Sequence, residues 1–359
     1  MGSSTVMDTK VTIFTAVYNG LPHLPEAINS TLAQTYSDFI YLIIDDASTD
    51  DSLECILSYQ DSRIKLVKNK TNLGTIGTIN KALSLIDTPY AVRLDQDDVS
   101  LPSRVEDQLE YLETHPGISV VCSWEHTINS QGKRVRDWKR TIHDYGDFLG
   151  PVLLGLCPIW HPSLAFRTAA MNAIGGFKPD YARAEDFEVT TRFAIKRYSG
   201  AIVQKFHLLQ REHERRQSIE FESEQVTVAR RIHREALETF LDERAADTLG
   251  TFLRLEVDLV GISLTKKYLT LIHGHLNELI VKVTQLQHLS DNELASLSRV
   301  IYRRVGLGVR YAPILIRVPN VCFKLCFYIL SPLHATVIKG VMSSVYHKFM
   351  NLKYIIKPQ

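Results

Sequence analysis

Cysteine is scarce and poorly placed for a structural role. The five residues, Cys55, Cys122, Cys157, Cys322 and Cys326, are odd in number and mostly sit in apolar surroundings. That argues against a disulfide framework and for reduced thiols in a cytosolic compartment. No Cys/His cluster has zinc spacing. Cys322 and Cys326, four apart on an expected helix, read as small apolar residues on one face. Long hydrophobic runs are missing too: no stretch approaches the roughly 20 residues of a spanning helix. Leu325–Ile338 is uncharged but short, and contains Pro332. The opening MGSSTVMDTK has no apolar core for a signal peptide, and Val6 stands where a myristoylation signal wants Ser or Thr. Net charge is nearly absent, 41 Lys and Arg against 40 Asp and Glu, so a general nucleic-acid binder is not expected. Two phosphate-binding signatures are also lacking. The first loop holds one glycine, Gly20, where a GxGxxG turn needs three, and no GxxxxGK[ST] occurs.

What is present is a globular composition, 45% hydrophobic and 23% charged, in a 359-residue chain long enough for two domains. From Val11 to about Val121, short apolar runs alternate with amphipathic segments of helix length. VTIFTAV, FIYLII (Phe39–Ile44), IKLV (Ile64–Val67), Tyr90–Leu94 and Ile118–Cys122 read as strands. Leu24/Ile28/Leu32, Ile79/Ala82/Leu83/Ile86 and Val105/Leu109/Leu112 mark helices between them. This alternation predicts an α/β fold with a doubly wound, mainly parallel sheet and a ligand crevice at the strands' carboxyl ends.

Three polar loops should meet at that edge: Thr15–Gly20, Asp45–Ser52 and Asp95–Asp98. The last crowds three carboxylates, Asp95, Asp97 and Asp98, into four residues directly after a buried strand. Such repulsion calls for a positive partner, a hard divalent cation and the phosphates it carries. A polar turn capping the helix near Ser103 is the plainer alternative, but one carboxylate would suffice for that. Tyr18 could stack on a nucleotide base and Asp46 accept from base or ribose; equally, Tyr18 could pack and Asp46 cap the helix near Ser52.

TAVYNG (Thr15–Gly20), IIDDASTDDS (Ile43–Ser52), NLGTIGTINKAL (Asn72–Leu83), RLDQDD (Arg93–Asp98) and IGGFKPDYARAEDFEVTTRF (Ile174–Phe193) follow one another in an order and spacing that resemble the inverting family 2 glycosyltransferases. The resemblance spans roughly residues 9 to 218. It implies the GT-A fold, a nucleotide-diphospho-sugar transferase architecture. It places Thr15, Ala16, Tyr18, Asp46, Asn72, Gly74, Lys81, Asp95 and Asp97 along the sugar nucleotide, a UDP-sugar. Asp97, with His213 from an Arg-x-His…Ser ending, is implied as ligand of Mn²⁺ or Mg²⁺. Asp186 is implied as catalytic base. Trp160, His161 and Glu185 are implied near the acceptor.

Inverting transfer is a single displacement at the anomeric carbon. It needs one base for the acceptor hydroxyl and separate charge neutralisation for the leaving diphosphate. The chain offers Asp186 alone and the Asp95–Asp98 cluster apart from it. For Asp186 the alternative is an acid favoured by a helix start. A basic stretch, Lys133 to Arg140, follows the hairpin signal Asn129–Gly132; it suits a phosphorylated acceptor or a solvated loop.

Beyond Ile219 the strand pattern stops. A GT-A domain over 9–218, a helical region over 219–293 and a basic tail over 294–359 are expected. Leu269, Ile272, Leu276, Leu279, Val283 and Leu286 form a narrow helical seam, for a homodimer or for packing within a helical domain. Residues 295–359 hold no Asp or Glu but ten Lys and Arg among aromatics. That suits an interfacial helix on an anionic membrane, or a basic subdomain packed on the rest. A glycan or lipid-linked acceptor at the inner face of the plasma membrane follows from the resemblance, in surface-polysaccharide synthesis. A nucleotidyltransferase or a non-catalytic sugar-nucleotide-binding module are the competing expectations.

Overall fold

The computed structural model describes residues 9–159, 161–212, 222–255 and 266–304, which fall within one compact unit ending at Val305. Strands β1 (Val11–Val17), β2 (Phe39–Asp45), β3 (Ile64–Lys68) and β4 (Tyr90–Arg93) pair in parallel in the order β3-β2-β1-β4. Their β-branched and aromatic runs are buried because α1 (Leu24–Leu32), α2 (Ser52–Leu57) and α3 (Gly74–Leu85) flank them in sequence and cover the sheet. Ile13, Tyr41, Ile43 and Val92 lie in one core with Ile28, Ile56 and Leu109.

Beyond β4 the sheet turns mixed. The short β5 (Val99–Ser100) and helix α4 (Arg104–Thr114) lead to β6 (Ile118–Asn129), β7 (Arg134–Trp138) and α5 (Tyr145–Leu153). Strand β8 (Ala165–Arg167), α6 (Thr168–Ile174), α7 (Glu185–Ile195) and β9 (Ser199–Glu212) complete it. The sheet continues β4-β8-β6-β9-β5, with β8 antiparallel to both neighbours, β6 parallel to β9, and β5 antiparallel to β9. Four of the eight pairings are parallel, so the expected mainly parallel sheet holds for the first half only. The β6–β7 hairpin reverses direction through a short turn, which only antiparallel pairing permits.

Helices α8 (Glu222–Glu238), α9 (Glu243–Leu255), α10 (Lys266–Leu286) and α11 (Asp291–Arg304) follow. Of these, α8 and α11 pack on the α/β half rather than standing apart. A Cβ on Gly146 of α5 would lie 2.0 Å from the Glu293 carbonyl, and one on Gly150 2.8 Å from Val300, so α5 and α11 cross nearly backbone to backbone. Ser296 donates to Asp144, the N-cap of α5, at 2.6 Å. A boundary at 293/294 therefore falls inside α11. On α10, Leu276, Leu279 and Val283 are buried within the chain, whereas Leu286 is 60% exposed. The basic tail from Gly306, with its expected membrane contact, lies outside the described residues.

Candidate active site

The three polar loops do converge at the carboxyl ends of β1, β2 and β4, and they are pinned to one another. In the first loop, Asn19 adopts a left-handed backbone (φ 50°) and its side-chain oxygen accepts from the amides of Thr49 and Asp50 in the second. The Gly20 amide donates to Ser52 at 2.9 Å. Gln96 of the third loop bonds both backbone groups of Tyr18, at 2.9 and 3.2 Å. A Cβ on Gly20 would meet that Gln96 oxygen at 2.9 Å. Tyr18 is left 44% exposed at the rim, free to face a base. Thr15 is different: its hydroxyl is buried against Tyr41, 3.2 Å away, so its side chain points into the core and only its backbone remains for a ligand. Ala16 is half-buried beside it.

Asp46 is buried and already accepts three hydrogen bonds, from the Asn69 amide group at 2.7 Å and the backbone N–H groups of Leu73 and Gly74 at 2.8 and 3.0 Å. It satisfies the start of α3 from a neighbouring strand, where Leu73 offers no side-chain cap. Asn72 accepts from Gly74, and Lys81 donates to Asn69. These expected nucleotide residues thus form one cluster whose visible work is to set the loop before α3. Its neighbour Asp45 is fully buried, with one carboxylate oxygen unpartnered among the described residues.

In the third loop Asp95 and Asp97 are half-buried at the edge, and Asp98 is buried behind them. Burial, then the charges of Asp97 and Asp95, hold the Asp98 carboxyl well above the usual carboxylate range. Arg211, buried at the end of β9, answers this crowding. Its amide donates to Asp98 at 2.8 Å, and its guanidinium reaches the carbonyls of Asp97, Asn129 and Ser130 and the carboxylate of Glu26. Sequence reasoning gave Arg211 no role of its own; its place in the Arg-x-His signature was the signal. No group of three metal-ligating side chains is preformed among the described residues. The hard oxygens of Asp95 and Asp97 at an open edge still fit a Mg²⁺- or Mn²⁺-like ion that takes its other ligands from diphosphate and water. His213 and Trp160 lie outside the described residues.

The base candidate stands at the start of α7. Asp186 is half-buried; the protein around it, aided by Glu185, pushes its carboxyl up to about 6, against the Phe187 N–H it accepts and the charge of Arg93. The preceding turn is held hard. Gly175 (φ 85°) and Gly176 (φ 65°) need left-handed backbone, and Asn80 bonds both backbone groups of Phe177. Arg192 spans from Glu188 to the carbonyls of Ile174 and Gly176. Arg183, three residues before Asp186, also sits at positive φ (85°), a strained conformation of the kind that clusters at working sites. With Ala182 it lines an open groove of about 520 Å³, whose far wall is Glu224, Thr227 and Val228 of α8. Tyr181 anchors this loop by bonding Glu235 of α8 at 2.6 Å.

Pinned loops at the strand ends, the Asp95/Asp97 pair at the edge and the raised carboxyl of Asp186 on α7 together fit a glycosyltransferase of the GT-A type. Comparison with known proteins agrees. The model of glycosyl transferase family 2 matches residues 12–171. The glycosyltransferase EpsE of Bacillus subtilis (strain 168) is 30% identical over 201 residues, 55% of this chain and 70% of EpsE. UDP-Glc:alpha-D-GlcNAc-diphosphoundecaprenol beta-1,3-glucosyltransferase WfaP of Escherichia coli is 36% identical over 104 residues, 29% of this chain and 41% of WfaP. Among solved structures, S. aureus TarS 1-349 in complex with UDP-GlcNAc superposes with a TM-score of 0.54 at 18% identity, over 84% of this chain and 93% of that one, a likeness of fold. The chain belongs to glycosyltransferase family 2.

Proposed function

We propose that this glycosyltransferase moves a sugar with inversion from a UDP-sugar to a hydroxyl of a glycan or lipid-linked acceptor in surface-polysaccharide synthesis. The observation that carries the reading is Asp186: a carboxyl at the start of α7, raised to about 6 by burial and by Glu185, on a different element from the Asp95/Asp97 pair. A carboxyl so raised is a stronger base than an ordinary aspartate and is still ionised at neutral pH. The acceptor oxygen attacks the anomeric carbon while its proton passes to Asp186. The bond from that carbon to the diphosphate oxygen breaks, and the nucleotide diphosphate leaves with the electron pair. Asp97, with Asp95 beside it and His213 as expected partner, would hold a Mn²⁺ or Mg²⁺ ion, which when bound supplies charge neutralisation for the diphosphate. Tyr18 at the exposed rim offers its ring to the base.

The groove between Arg183 and α8 is lined by Ala182 and Arg183 of the loop that leads into α7, and we assign it to the acceptor. WfaP's name, which gives UDP-Glc as donor and a GlcNAc-diphosphoundecaprenol as acceptor, and the UDP-GlcNAc bound in the TarS structure support the sugar-nucleotide and lipid-linked reading. A peripheral place on an anionic membrane would bring such an acceptor to the groove, through the basic tail.

The test is release of nucleotide diphosphate from a panel of nucleotide sugars, with Mn²⁺ and with EDTA, on wild type and Asp97→Ala. Release from one donor, lost with EDTA and in the variant, is expected. Full activity under both conditions would remove the metal from the mechanism. Adding a membrane lipid extract is expected to raise turnover.

A further inference from the structure

Between Asp95 and the start of α7 lies a buried pair, Arg93 and His161, whose contact the three loops do not account for. Arg93 closes β4, is 7% exposed, and carries its guanidinium among four partners. Its Nε donates to Asp95 at 2.9 Å. Its Nη1 meets Nδ1 of His161 at 2.9 Å. Its charge is also favoured by Glu185 and Asp186 at the start of α7. Its own carbonyl is held by Arg104 at 2.6 Å, so the strand end is fixed.

A guanidinium can only donate. Nδ1 of His161 must therefore accept, and the ring's proton must sit on Nε2. The ring cannot turn to escape this, since it stands edge-on to Phe177, 5.3 Å between centroids, and Phe177 is itself locked by Asn80. Burial and the neighbouring Arg93 charge both keep the imidazole neutral. The result is an N–H donor on a side chain 4% exposed, with no hydrogen-bond partner among the described residues. A buried donor left unmade costs free energy that a ligand oxygen would recover.

We propose that Arg93 is the positioning residue that ties the two halves of the reaction centre together, fixing Asp95 on the donor side and setting His161 to offer Nε2–H to an oxygen of the reacting sugars. This rests on the transferase reading above and adds to it a residue outside the loops. One guanidinium fork serves both sides, so the spacing between the donor carboxylate and the acceptor-side donor is set by a single rigid group. Lysine carries the same charge but has no fork, and cannot hold both partners at once.

The test uses the full chain. A ¹⁵N-histidine spectrum at pH 7 is expected to show His161 as the neutral Nε2–H tautomer in wild type, and to lose that signature in Arg93→Lys. Calorimetry with UDP and Mn²⁺ is expected to show affinity for Arg93→Lys weakened by about tenfold, the scale of one lost charged hydrogen bond. UDP release from the preferred UDP-sugar should fall further, by about 100-fold, as when one aimed donor is removed from a reacting site. His161→Gln, whose amide nitrogen reaches the place of Nε2, should retain most turnover, and His161→Leu should lose about 100-fold with UDP affinity unchanged. A protonated or Nδ1–H His161 in wild type would overturn the proposal. So would His161→Leu turning over like wild type, or Gln rescuing no better than Leu. Asp186→Asn is run alongside: if it stays active, the base assignment fails, and the tautomer result still decides the role of Arg93.

Discussion

The edge proposed for the donor and the side proposed for the acceptor are built in different ways in this enzyme. At the donor edge each loop follows its own strand, and its pins are short polar side chains bonding nearby backbone: Asn19 to Thr49 and Asp50, Gly20 to Ser52, Asp46 to Leu73 and Gly74. In the mixed half of the sheet, long cationic side chains reach across the chain. The Arg93 guanidinium meets His161, 68 residues away; that of Arg211 meets the Asp97 carbonyl, 114 away, and Glu26, 185 away. Parallel βα units repeat one local recipe, so these pins join successive loops, and Gln96 to Tyr18, 78 residues apart, is the longer reach among them. The mixed half has no such repeat. Its geometry comes from buried charge networks, which specify structure only when every member is in place.

That contrast can be tested by breaking each side separately. The largest effect is expected at the base. Asp186→Asn should lower kcat by about 10³-fold, within the range for a lost general base, while leaving UDP affinity as in wild type. A parallel loss of UDP binding would mean the two sides are not separable. Next comes the helical region's attachment. Gly146→Ala puts a methyl 2.0 Å from the Glu293 carbonyl, so the crossing of α5 and α11 must open. We expect a loss of about 1–3 kcal/mol in urea unfolding, the cost of overpacking. An unchanged midpoint would show that α11 is not seated as described.

The pH profile gives a third test. The active form of Asp186 is ionised, and its carboxyl is raised to about 6. kcat/KM should therefore climb with pH up to about 6 and level off above it, about tenfold per unit on the acid limb. A profile flat from 5 to 8 would exclude Asp186 as the titrating base. On the donor side, Asn19→Ala removes the cross-loop acceptor, worth about 1 kcal/mol. UDP affinity should weaken by about fivefold, with acceptor KM unmoved. The smallest effect is on stability. A carboxyl whose folded-state value is raised favours the fold when protonated. That contribution is complete below about 4 and is lost as pH rises through about 6. Asp186→Asn should thus be more stable than wild type at pH 8, by about 1 kcal/mol once its partial exposure is discounted, and no more stable at pH 4. The variant that abolishes turnover would then be the sturdier protein, as expected where a site holds a costly charge.

Much of the donor edge was legible in the sequence. The strand runs, the three loops and the carboxylate cluster lie within the first 100 residues, and each is a local pattern. Thr15 shows the limit: it belongs to the loop motif, but strand alternation turns its hydroxyl inward to Tyr41. Asp46 shows another. Its residue type suited a base or ribose contact, while its neighbours in space turn it on the α3 start. Arg93 and Arg211 read as ordinary cations in sequence, because nothing local tells which carboxylate or ring an arginine will reach.

The sequence by itself determined the α/β class and the crowding of Asp95, Asp97 and Asp98 just past a strand end, because hydrophobic periodicity and clustered like charges act over a few residues. Only the tertiary structure decided that the sheet turns mixed after β4, that α11 is packed against α5 at Gly146 and Gly150, and that Arg93 is shared among Asp95, His161 and the charges of Glu185 and Asp186. Those outcomes depend on which distant groups share a low-dielectric interior. There, burial and pairing set the charge and tautomer of each group, and no single stretch of chain contains both partners.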